Sequence, residues 1–393
     1  MADARSRAPK LLFVVTEDWY FCSHRLPLAI AARTAGYHVT LAARMSEHGE
    51  LVRSHGIDVV PWQVERGSTN PFGELLALYR LWNIYRRVQP DLLHQVALKP
   101  ALYGSFLARL SGRAVVVNAL GGMGSVFTSA SRSKALLKRA LTFSFRWLLS
   151  GDRKRLILQN EDDAALFEQV ARLPRTGIRI IRGAGVNLAH FSVQPEPAGL
   201  PLVVLPARLL WDKGIGEYVE AARILRRRGV TARFAIAGRI DRDNPTGIAP
   251  ELVQGWVEEG VVEWFGLRND MPALLSAANI VCLPSYREGL PKALLEAAAC
   301  ARAIITTDVP GCREVVRHGE NGLLVPVRDA GALADALGQL LESPSQRSAM
   351  GAAGRRMAEQ EFSEGGVIEQ TLAIYRELQV YPLAAGTMVT GTP

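Results

Sequence analysis

The chain has 393 residues, 48% hydrophobic and 21% charged, a composition that excludes a disordered chain and favours a folded protein of two domains. Lysine and arginine number 46 against 38 acidic residues, and the net charge of +8 favours phosphates, acidic lipid headgroups or nucleic acid as partners. None of the four cysteines forms a CxxC pair, which disfavours a thiolate metal site and favours buried, reduced thiols.

Short apolar runs alternate with helical patterns through the first half of the chain. The pattern predicts helices at 25–35 and 47–54. It predicts strands at 11–16, 39–42, 59–61, 92–95, 115–118 and 156–159. Such alternation indicates a parallel sheet with helices on both faces.

Residues 192–201 read SVQPEPAGLP, and three prolines without apolar periodicity predict an interdomain linker. The alternation then restarts, with strands predicted at 202–206, 234–237, 262–265, 280–284, 303–306 and 323–325. The predicted fold is therefore α/β, with two doubly wound domains at 1–191 and 202–363. A C-terminal helix and tail occupy 364–393, and a return of this helix to the first domain is one option.

The segment RLLWDKG begins at Arg208, directly after the first predicted strand of the second domain. Arg208 and Lys213 can converge on a diphosphate, and a helix that begins near Gly214 adds the positive end of its dipole. The alternative is two solvated cations on a loop, and for an isolated pair of this kind that alternative is favoured.

The segment PSYREGLPKALLEA begins at Pro284 and carries two glutamates, Glu288 and Glu296, with seven residues between them. Glu288 lies in the loop after a predicted strand, where Gly289 allows the backbone to approach a ligand. Glu296 lies about two turns into the next helix and is followed by three alanines, which indicates close packing. A carboxylate in such surroundings needs partners, although a surface helix carrying a glutamate is the alternative.

In order and spacing, these two elements resemble the retaining glycosyltransferases of family 4, which have the GT-B fold of two Rossmann-like domains facing across a cleft. The resemblance covers nearly the whole second domain and extends to AG at 237–238, FG at 265–266, TDVPG at 307–311 and NGLLVP at 321–326. It implies transfer of a sugar from a nucleotide-sugar, with UDP as the nucleotide and a hexose or N-acetylhexosamine as the sugar. It implies no metal and no other cofactor.

The resemblance also implies roles for individual residues. Arg208 and Lys213 would hold the donor diphosphate, Glu288 the transferred sugar and Glu296 the ribose. The other donor-binding positions would be Gly238, Phe265, Gly266, Leu267, Gly289 and Leu290. No nucleophile candidate stands out, and the family implies a front-face mechanism in which the leaving diphosphate accepts the proton of the acceptor.

Two segments of the first domain, WYFCSHR at 19–25 and NALGGMG at 118–124, resemble the subgroup that builds bacterial surface polysaccharides on undecaprenyl diphosphate carriers. This resemblance implies a lipid-linked glycan as the acceptor and no nucleic acid partner. The implied acceptor-binding residues are His24, Arg25, Asn118, Gly121 and Gly122. For His24, local capping or packing is an equally open alternative.

Two further motifs carry no cofactor prediction. The glycines at 121–124 do not form G-x-G-x-x-G and do not follow the first strand, which excludes a nicotinamide site. Asp241 and Asp243 form a DxD in a polar loop, but a lone DxD is weak support for manganese, so we predict no metal.

The segment 132–155 holds eight basic residues and one aspartate, with Phe143, Phe145 and Trp147 interleaved. This composition is typical of a helix that lies on an anionic membrane surface, although a domain helix with an apolar core face is the alternative. The charge count favours the membrane interpretation.

No run of residues reaches the ~20 apolar positions of a spanning helix, and the apolar run at 11–15 is too short for a signal peptide. We therefore predict a cytoplasmic enzyme that is peripheral on the inner face of the membrane. The alternatives are a soluble family 4 transferase with a small-molecule acceptor, a GT-B sugar-nucleotide epimerase, and an inactive assembly or binding module.

Overall fold

The computed structural model of the protein describes residues 7–65, 70–112, 114–121, 144–241 and 244–378. The chain divides into two compact units. Unit 1 consists of Met1–Ile181 together with Val367–Pro393, and unit 2 of Arg182–Gly366.

Unit 1 is built on a parallel sheet of seven strands in the order β3-β2-β1-β4-β5-β6-β7. The strands are β1 Lys10–Glu17, β2 His38–Arg44, β3 Asp58–Pro61, β4 Leu92–Val96, β5 Val115–Ala119, β6 Lys154–Leu158 and β7 Ile178–Ile180. The helices are Asp18–His24, Leu26–Thr34, Gly49–Ser54, Pro71–Val88, Leu98–Ser111, Glu161–Ala171 and Glu364–Leu378, with residues 144–149 also helical. Successive side chains of β1 pack into two different apolar clusters, one with Leu11, Phe13 and Val15 and the other with Leu12 and Val14. Both faces of β1 are therefore covered.

The helix Glu364–Leu378 completes the core of unit 1. Its Ile374 and Tyr375 pack in the same cluster as Phe13 on β1. The hydroxyl of Tyr375 lies 2.5 Å from Nδ1 of the buried His94 on β4. Unit 1 is therefore formed from two separate stretches of the chain.

Unit 2 is built on a parallel sheet of six strands in the order β10-β9-β8-β11-β12-β13. The strands are β8 Leu202–Pro206, β9 Arg233–Ala237, β10 Glu263–Trp264, β11 Ile280–Leu283, β12 Ala303–Thr307 and β13 Gly322–Val325. The helices are Ile215–Arg227, Pro250–Glu258, Met271–Ala277, Lys292–Ala299, Pro310–Val315, Ala330–Glu342 and Pro344–Glu361. Two parallel sheets with helices confirm the predicted α/β class.

The predicted linker, residues 192–201, lies inside unit 2 and is bound to it by side chains. Oε1 of Glu196 accepts hydrogen bonds from Asn279 at 2.7 Å and from Arg347 at 2.6 Å. The guanidinium of Arg302 donates to the carbonyl oxygen of Gln194 at 2.7 Å. The chain instead passes from unit 1 to unit 2 between Ile181 and Arg182, and it returns between Gly366 and Val367.

Candidate functional site

The sheet of unit 2 reverses its strand order between β8 and β11, which are neighbours in space. Ligands of open parallel sheets bind at such a point, beyond the carboxyl ends of the strands. The segment from Arg208 to Gly214 follows β8, and the loop 284–291 follows β11. The two loops meet there, because the backbone N–H of Tyr286 donates to the carbonyl oxygen of Asp212 at 2.9 Å.

Gly214 makes the close approach of these loops possible. Its φ of 70° lies in the left-handed region, and it precedes the helix Ile215–Arg227. An ideal Cβ at this position would also collide with the carbonyl oxygen of Pro284. Both constraints require glycine, so the turn after Lys213 packs backbone against backbone on the loop that carries Glu288.

Lys213 and Glu288 form an ion pair across the two loops. The same carboxylate oxygen of Glu288 accepts a hydrogen bond from Oγ of Ser285 at 2.7 Å. The structure therefore brings the cation predicted to bind the diphosphate into direct contact with the carboxylate predicted to bind the sugar.

Arg208 has a carboxylate partner of its own. Its NH1 atom lies 2.6 Å from Oδ2 of Asp241, which follows the neighbouring strand β9. Asp243, the second aspartate of the DxD, lies outside the described residues. Within the described ranges, no group of three or more His, Cys, Asp or Glu side chains could hold a metal ion.

Glu296 lies in the helix Lys292–Ala299 and is only 8% exposed. Its carboxylate lies 3.6 Å from Nζ of Lys292. Burial raises the pKa of Glu296, and the charge of Lys292 opposes this shift in part. A buried carboxylate with one long ion pair retains capacity to accept hydrogen bonds from a ligand.

The loop at Gly289 and Leu290 is packed from two sides. An ideal Cβ at Gly311, which begins the helix Pro310–Val315 together with Pro310, would collide with the carbonyl oxygen of Gly289. The side chain of Leu290 lies where a Cβ on Gly183 would stand. Gly311, the glycine of the TDVPG segment, therefore allows close packing against the loop that carries Glu288.

The predicted donor-binding positions Gly238 and Phe265–Leu267 directly follow the neighbouring strands β9 and β10. An ideal Cβ at Gly238 would collide with the carbonyl oxygen of Ala207, so this position admits only glycine. The indole N–H of Trp264 donates to the carbonyl oxygen of Gly238 at 2.9 Å, and Phe265 N donates to Ile236 O at 2.9 Å. Beyond them, Gly266 has a φ of 64°, and Leu267 is exposed.

Sequence reasoning did not single out Tyr286, Glu217 and Arg328, which support the loop between β11 and Glu288. The hydroxyl of Tyr286 donates to Oε1 of Glu217 at 2.7 Å, and the guanidinium of Arg328 lies 4.6 Å from the centre of the tyrosine ring. Burial, with Glu217, raises the pKa of Tyr286 to about 12, so the phenol is neutral. The position of Tyr286 inside the PSYREGLP segment was the only available signal.

Three of the four cysteines are buried as predicted, and Cys22 is only partly buried. All four are free, and Cys282, Cys300 and Cys312 are buried. Burial, together with the charge of Glu288, raises the pKa of Cys312 to about 12, so its thiol is neutral and weakly nucleophilic.

In unit 1, the adjacent residues His24 and Arg25 have different surroundings. The ring of His24 stacks on Tyr20 with 4.2 Å between centroids, and its Nδ1 lies 2.5 Å from Oγ of Ser23. The side chain of Arg25 is buried, and its Nε has no hydrogen-bond partner among the described residues. Burial and the charge of Arg25 hold the pKa of His94 well below its usual range.

The other predicted acceptor residues lie at or after the end of β5. Asn118 is buried, and its Nδ2 donates to Oγ of Ser105 at 3.2 Å. Gly121 lies near the side chain of Gln159. Gly122 lies outside the described residues. The structure places Asn118 and Gly121 together at the carboxyl end of β5.

Only part of the basic segment 132–155 can be compared with its prediction, since 132–143 lie outside the described residues. Phe145 is buried and packs edge-on against Phe167, with 5.3 Å between ring centroids. The core of unit 1 holds this ring, which fits the domain-helix alternative for Phe145, whereas Trp147 is exposed. Arg155 donates to Glu377 at 2.6 Å, so this cation is also bound internally. Across the described ranges, no helix has the length and apolarity needed to span a bilayer.

Comparisons with known proteins identify relatives of both halves of the chain. Residues 10–160 match the family model described as glycosyl transferase 4-like, and residues 201–343 match the one described as glycosyl transferases group 1. The chain is 29% identical over 336 residues to the N,N'-diacetylbacillosaminyl-diphospho-undecaprenol alpha-1,3-N-acetylgalactosaminyltransferase of Campylobacter jejuni. That alignment covers 82% of this chain and 87% of the relative.

Two solved structures share the fold. A sucrose-phosphate synthase from Thermosynechococcus elongatus has a TM-score of 0.78 at 22% identity, covering 94% of this chain and 99% of that one. The Anabaena protein HepE, crystallised with UDP-glucose, has a TM-score of 0.74 at 19% identity, covering 93% and 99%. With both halves of the chain matched by glycosyltransferase family models and the fold shared with these enzymes, the chain is a glycosyltransferase of the GT-B fold.

Proposed function

We propose that the protein is a retaining, metal-independent glycosyltransferase of bacterial surface polysaccharide synthesis. It takes a hexose or N-acetylhexosamine from a UDP-sugar and transfers it to a glycan on an undecaprenyl diphosphate type of carrier. It acts as a peripheral enzyme on the inner face of the cell membrane.

The observation that carries this proposal is the ion pair between Lys213 and Glu288. In a nucleotide-sugar, the bond that breaks joins the anomeric carbon to an oxygen of the diphosphate. A cation for the leaving group and a carboxylate for the sugar hydroxyls must therefore lie side by side. Two loops that follow adjacent strands bring this pair of side chains together.

In the proposed mechanism, Arg208 and Lys213 stabilise the negative charge that develops on the leaving diphosphate. Glu296 accepts hydrogen bonds from the ribose hydroxyls and so positions the nucleotide. The acceptor oxygen attacks from the face that the diphosphate leaves, and a phosphate oxygen takes its proton. The anomeric configuration is thereby retained without an enzyme nucleophile, and the neutral thiol of Cys312 agrees with this route.

The same geometry supports the proposed metal independence. Asp241, the described half of the DxD, is bound to Arg208. Arg208 and Lys213 thus take the part that a divalent cation plays in other transferases.

The nature of the acceptor is proposed from the Campylobacter jejuni relative, whose name states a diphospho-undecaprenol-linked acceptor and an alpha linkage. UDP is proposed from the Anabaena structure, which holds UDP-glucose. An alpha product from an alpha-linked UDP-sugar requires retention.

The test is a donor screen with membrane lipid extract, read by mass spectrometry. UDP-, GDP- and ADP-sugars are each supplied with excess EDTA, and the Lys213→Ala protein is the control. We expect a mass gain of one hexose or N-acetylhexosamine on a lipid-linked glycan, with a UDP donor only. Transfer only to soluble acceptors, isomerisation of the donor without acceptor, or loss of all activity in EDTA that manganese restores would each overturn the proposal.

A further inference from the structure

The helix Pro71–Val88 of unit 1 carries a cluster of large apolar side chains on its solvent face. Phe72 is 83% exposed, Leu75 63%, Leu76 46% and Tyr79 61%. They occupy two consecutive turns, whereas the opposite side of the helix buries Ala77, Leu81, Ile84 and Tyr85 in the core. Single exposed apolar residues are ordinary, but a contiguous cluster of this kind marks an interaction surface.

The same stripe of the helix ends in two arginines. At about 100° per residue, Tyr79, Arg86 and Arg87 all fall within about 60° of the direction of Phe72. Arg86 and Arg87 lie about 21 Å along the axis from Phe72. Both arginines are exposed, and neither forms an ion pair within the part of the chain that the structure describes. We call these six residues the Phe72 face: Phe72, Leu75, Leu76, Tyr79, Arg86 and Arg87.

The helix has only one acidic residue, and its charge is already engaged. Glu74 forms an ion pair with Lys99 at 2.7 Å and accepts a hydrogen bond from Tyr103. The Phe72 face therefore presents an apolar end and a cationic end without any anion of its own. The apolar and cationic ends of the Phe72 face together are complementary to a layer that has an apolar interior and an anionic surface.

We propose that the Phe72 face docks on an anionic lipid bilayer. Phe72, Leu75, Leu76 and Tyr79 enter the boundary between headgroups and acyl chains, while Arg86 and Arg87 bind lipid phosphates. The inference deepens the proposed function and rests on it in one respect, which is that a lipid-linked acceptor gives the docking a purpose. It assigns the membrane contact to a helix other than the predicted segment 132–155, whose Phe145 is buried.

Internal contacts hold this helix in place independently of its exposed face. The indole N–H of Trp62 donates to the carbonyl oxygen of Ala77 at 2.9 Å. The hydroxyl of Tyr85 lies 2.7 Å from that of Ser111, and Asn70 caps the first turn by accepting from Phe72 N at 3.1 Å. Substitutions confined to exposed side chains of the Phe72 face are therefore expected to leave the fold intact.

The first experiment is flotation of the purified full chain with vesicles of phosphatidylcholine and phosphatidylglycerol in equal parts. The triple variant Phe72→Ser, Leu75→Ser, Tyr79→Ser should lower the affinity for vesicles roughly tenfold or more, because apolar insertion is lost. The double variant Arg86→Gln, Arg87→Gln should remove most of the salt dependence of binding.

Matched controls use exposed residues outside the face. Leu51→Ser with Leu110→Ser removes exposed leucines of the same unit, and Arg226→Gln with Arg227→Gln removes two arginines of unit 2. Both control proteins should float as the parent does. Parent-like flotation of the triple variant would overturn the proposal. Equal losses in the leucine control would overturn it as well, since the effect would then not belong to this face.

The second experiment detects insertion directly. An environment-sensitive fluorophore is placed on Tyr79→Cys and, as a control, on Leu110→Cys. We expect a blue shift on the same vesicles for the first protein only. No shift at position 79, or a shift that appears only when a second protein is added, would identify the face as a protein-docking surface and overturn the lipid proposal. Neither assay contains a sugar donor or acceptor, so their outcome is separate from that of the donor screen.

Discussion

Arg208 donates a hydrogen bond of 2.6 Å from NH1 to Oδ2 of Asp241, so a proposed phosphate-binding cation has an anionic partner in the free protein. A donor diphosphate must compete with that carboxylate. We expect Asp241→Asn to tighten UDP binding by up to about fivefold, which is the worth of a partly exposed ion pair. Isothermal titration calorimetry measures the UDP affinity of this variant. The control is Asp308→Asn, because Asp308 is also paired with an arginine. Weaker binding would mean that Asp241 holds Arg208 in its binding position.

Lys213 and Arg208 are expected to act on the leaving group rather than on the fold. Lys213→Ala and Arg208→Ala should each lower kcat/KM by about 100-fold or more, because the diphosphate loses a cation in the transition state. Arg208 lies in a loop and Lys213 ends a short 3-10 helix, so the Tm should change little. The control is Arg223→Ala on the next helix, whose partners are Glu220 and Glu259. Normal turnover in both the Lys213→Ala and the Arg208→Ala protein would exclude a role of these residues in binding the diphosphate.

Replacing Glu296 with glutamine should change protein stability and UDP binding in opposite directions. Because burial raises its pKa, the folded protein holds the proton of this group more tightly than the unfolded chain does. The contribution of this group to stability therefore falls as the pH rises through its folded-state pKa. Near neutral pH, Glu296→Gln should raise the Tm of the free protein by roughly 1–3 °C.

The same substitution should weaken UDP binding about tenfold, because an amide accepts hydrogen bonds from ribose less strongly than a carboxylate. In the parent protein, UDP affinity should fall as the pH is lowered through the raised pKa of Glu296, and the Gln variant should lack this step. Titrations over a pH series test both statements. Equal UDP affinity of the two proteins would exclude the ribose role.

Gly214 should be sensitive to a single methyl group. Gly214→Ala combines a φ of 70° with a collision against the carbonyl oxygen of Pro284, so the free energy of unfolding should fall by about 3 kcal/mol. The control is Gly255→Ala, in the helix Pro250–Glu258, where a Cβ meets nothing within 4 Å. That change should instead stabilise the protein by about 0.5–1 kcal/mol. Urea denaturation compares the two, and equal effects would contradict the close approach of the loops.

Buried strands were the most predictable part of the fold. The run 202–206 corresponds to β8 Leu202–Pro206 and the run 11–16 lies within β1 Lys10–Glu17, because strands covered on both faces are continuously apolar. The three-residue strand β7 Ile178–Ile180 is too short to produce such a signal. The helix Pro71–Val88 was also not predicted, since apolar residues on its exposed face obscure the helical period.

The two loops that form the candidate site could be predicted from the sequence, but the contacts between their side chains could not. Parallel strands deliver their following loops to one edge, which is why the segments at Arg208 and Glu288 could be expected to meet. The partner of Arg208 is 33 positions away in the sequence, in a loop after another strand. The pairing of Arg208 with Asp241 depends on the strand order β9-β8-β11 and on side-chain packing, and no local sequence pattern predicts either of them.

Unit 1 consists of two stretches of chain separated by the whole of unit 2. During synthesis, the ribosome finishes residues 182–366 before it makes Ile374 and Tyr375, which cover Phe13 and His94. At roughly 5–20 residues per second, this delay lasts about 10–40 s. For that time the newborn chain carries an open apolar surface on unit 1 while unit 2 is already able to fold. Chaperone binding to the nascent chain is therefore expected to concentrate on unit 1 and to end when the last helix leaves the ribosome.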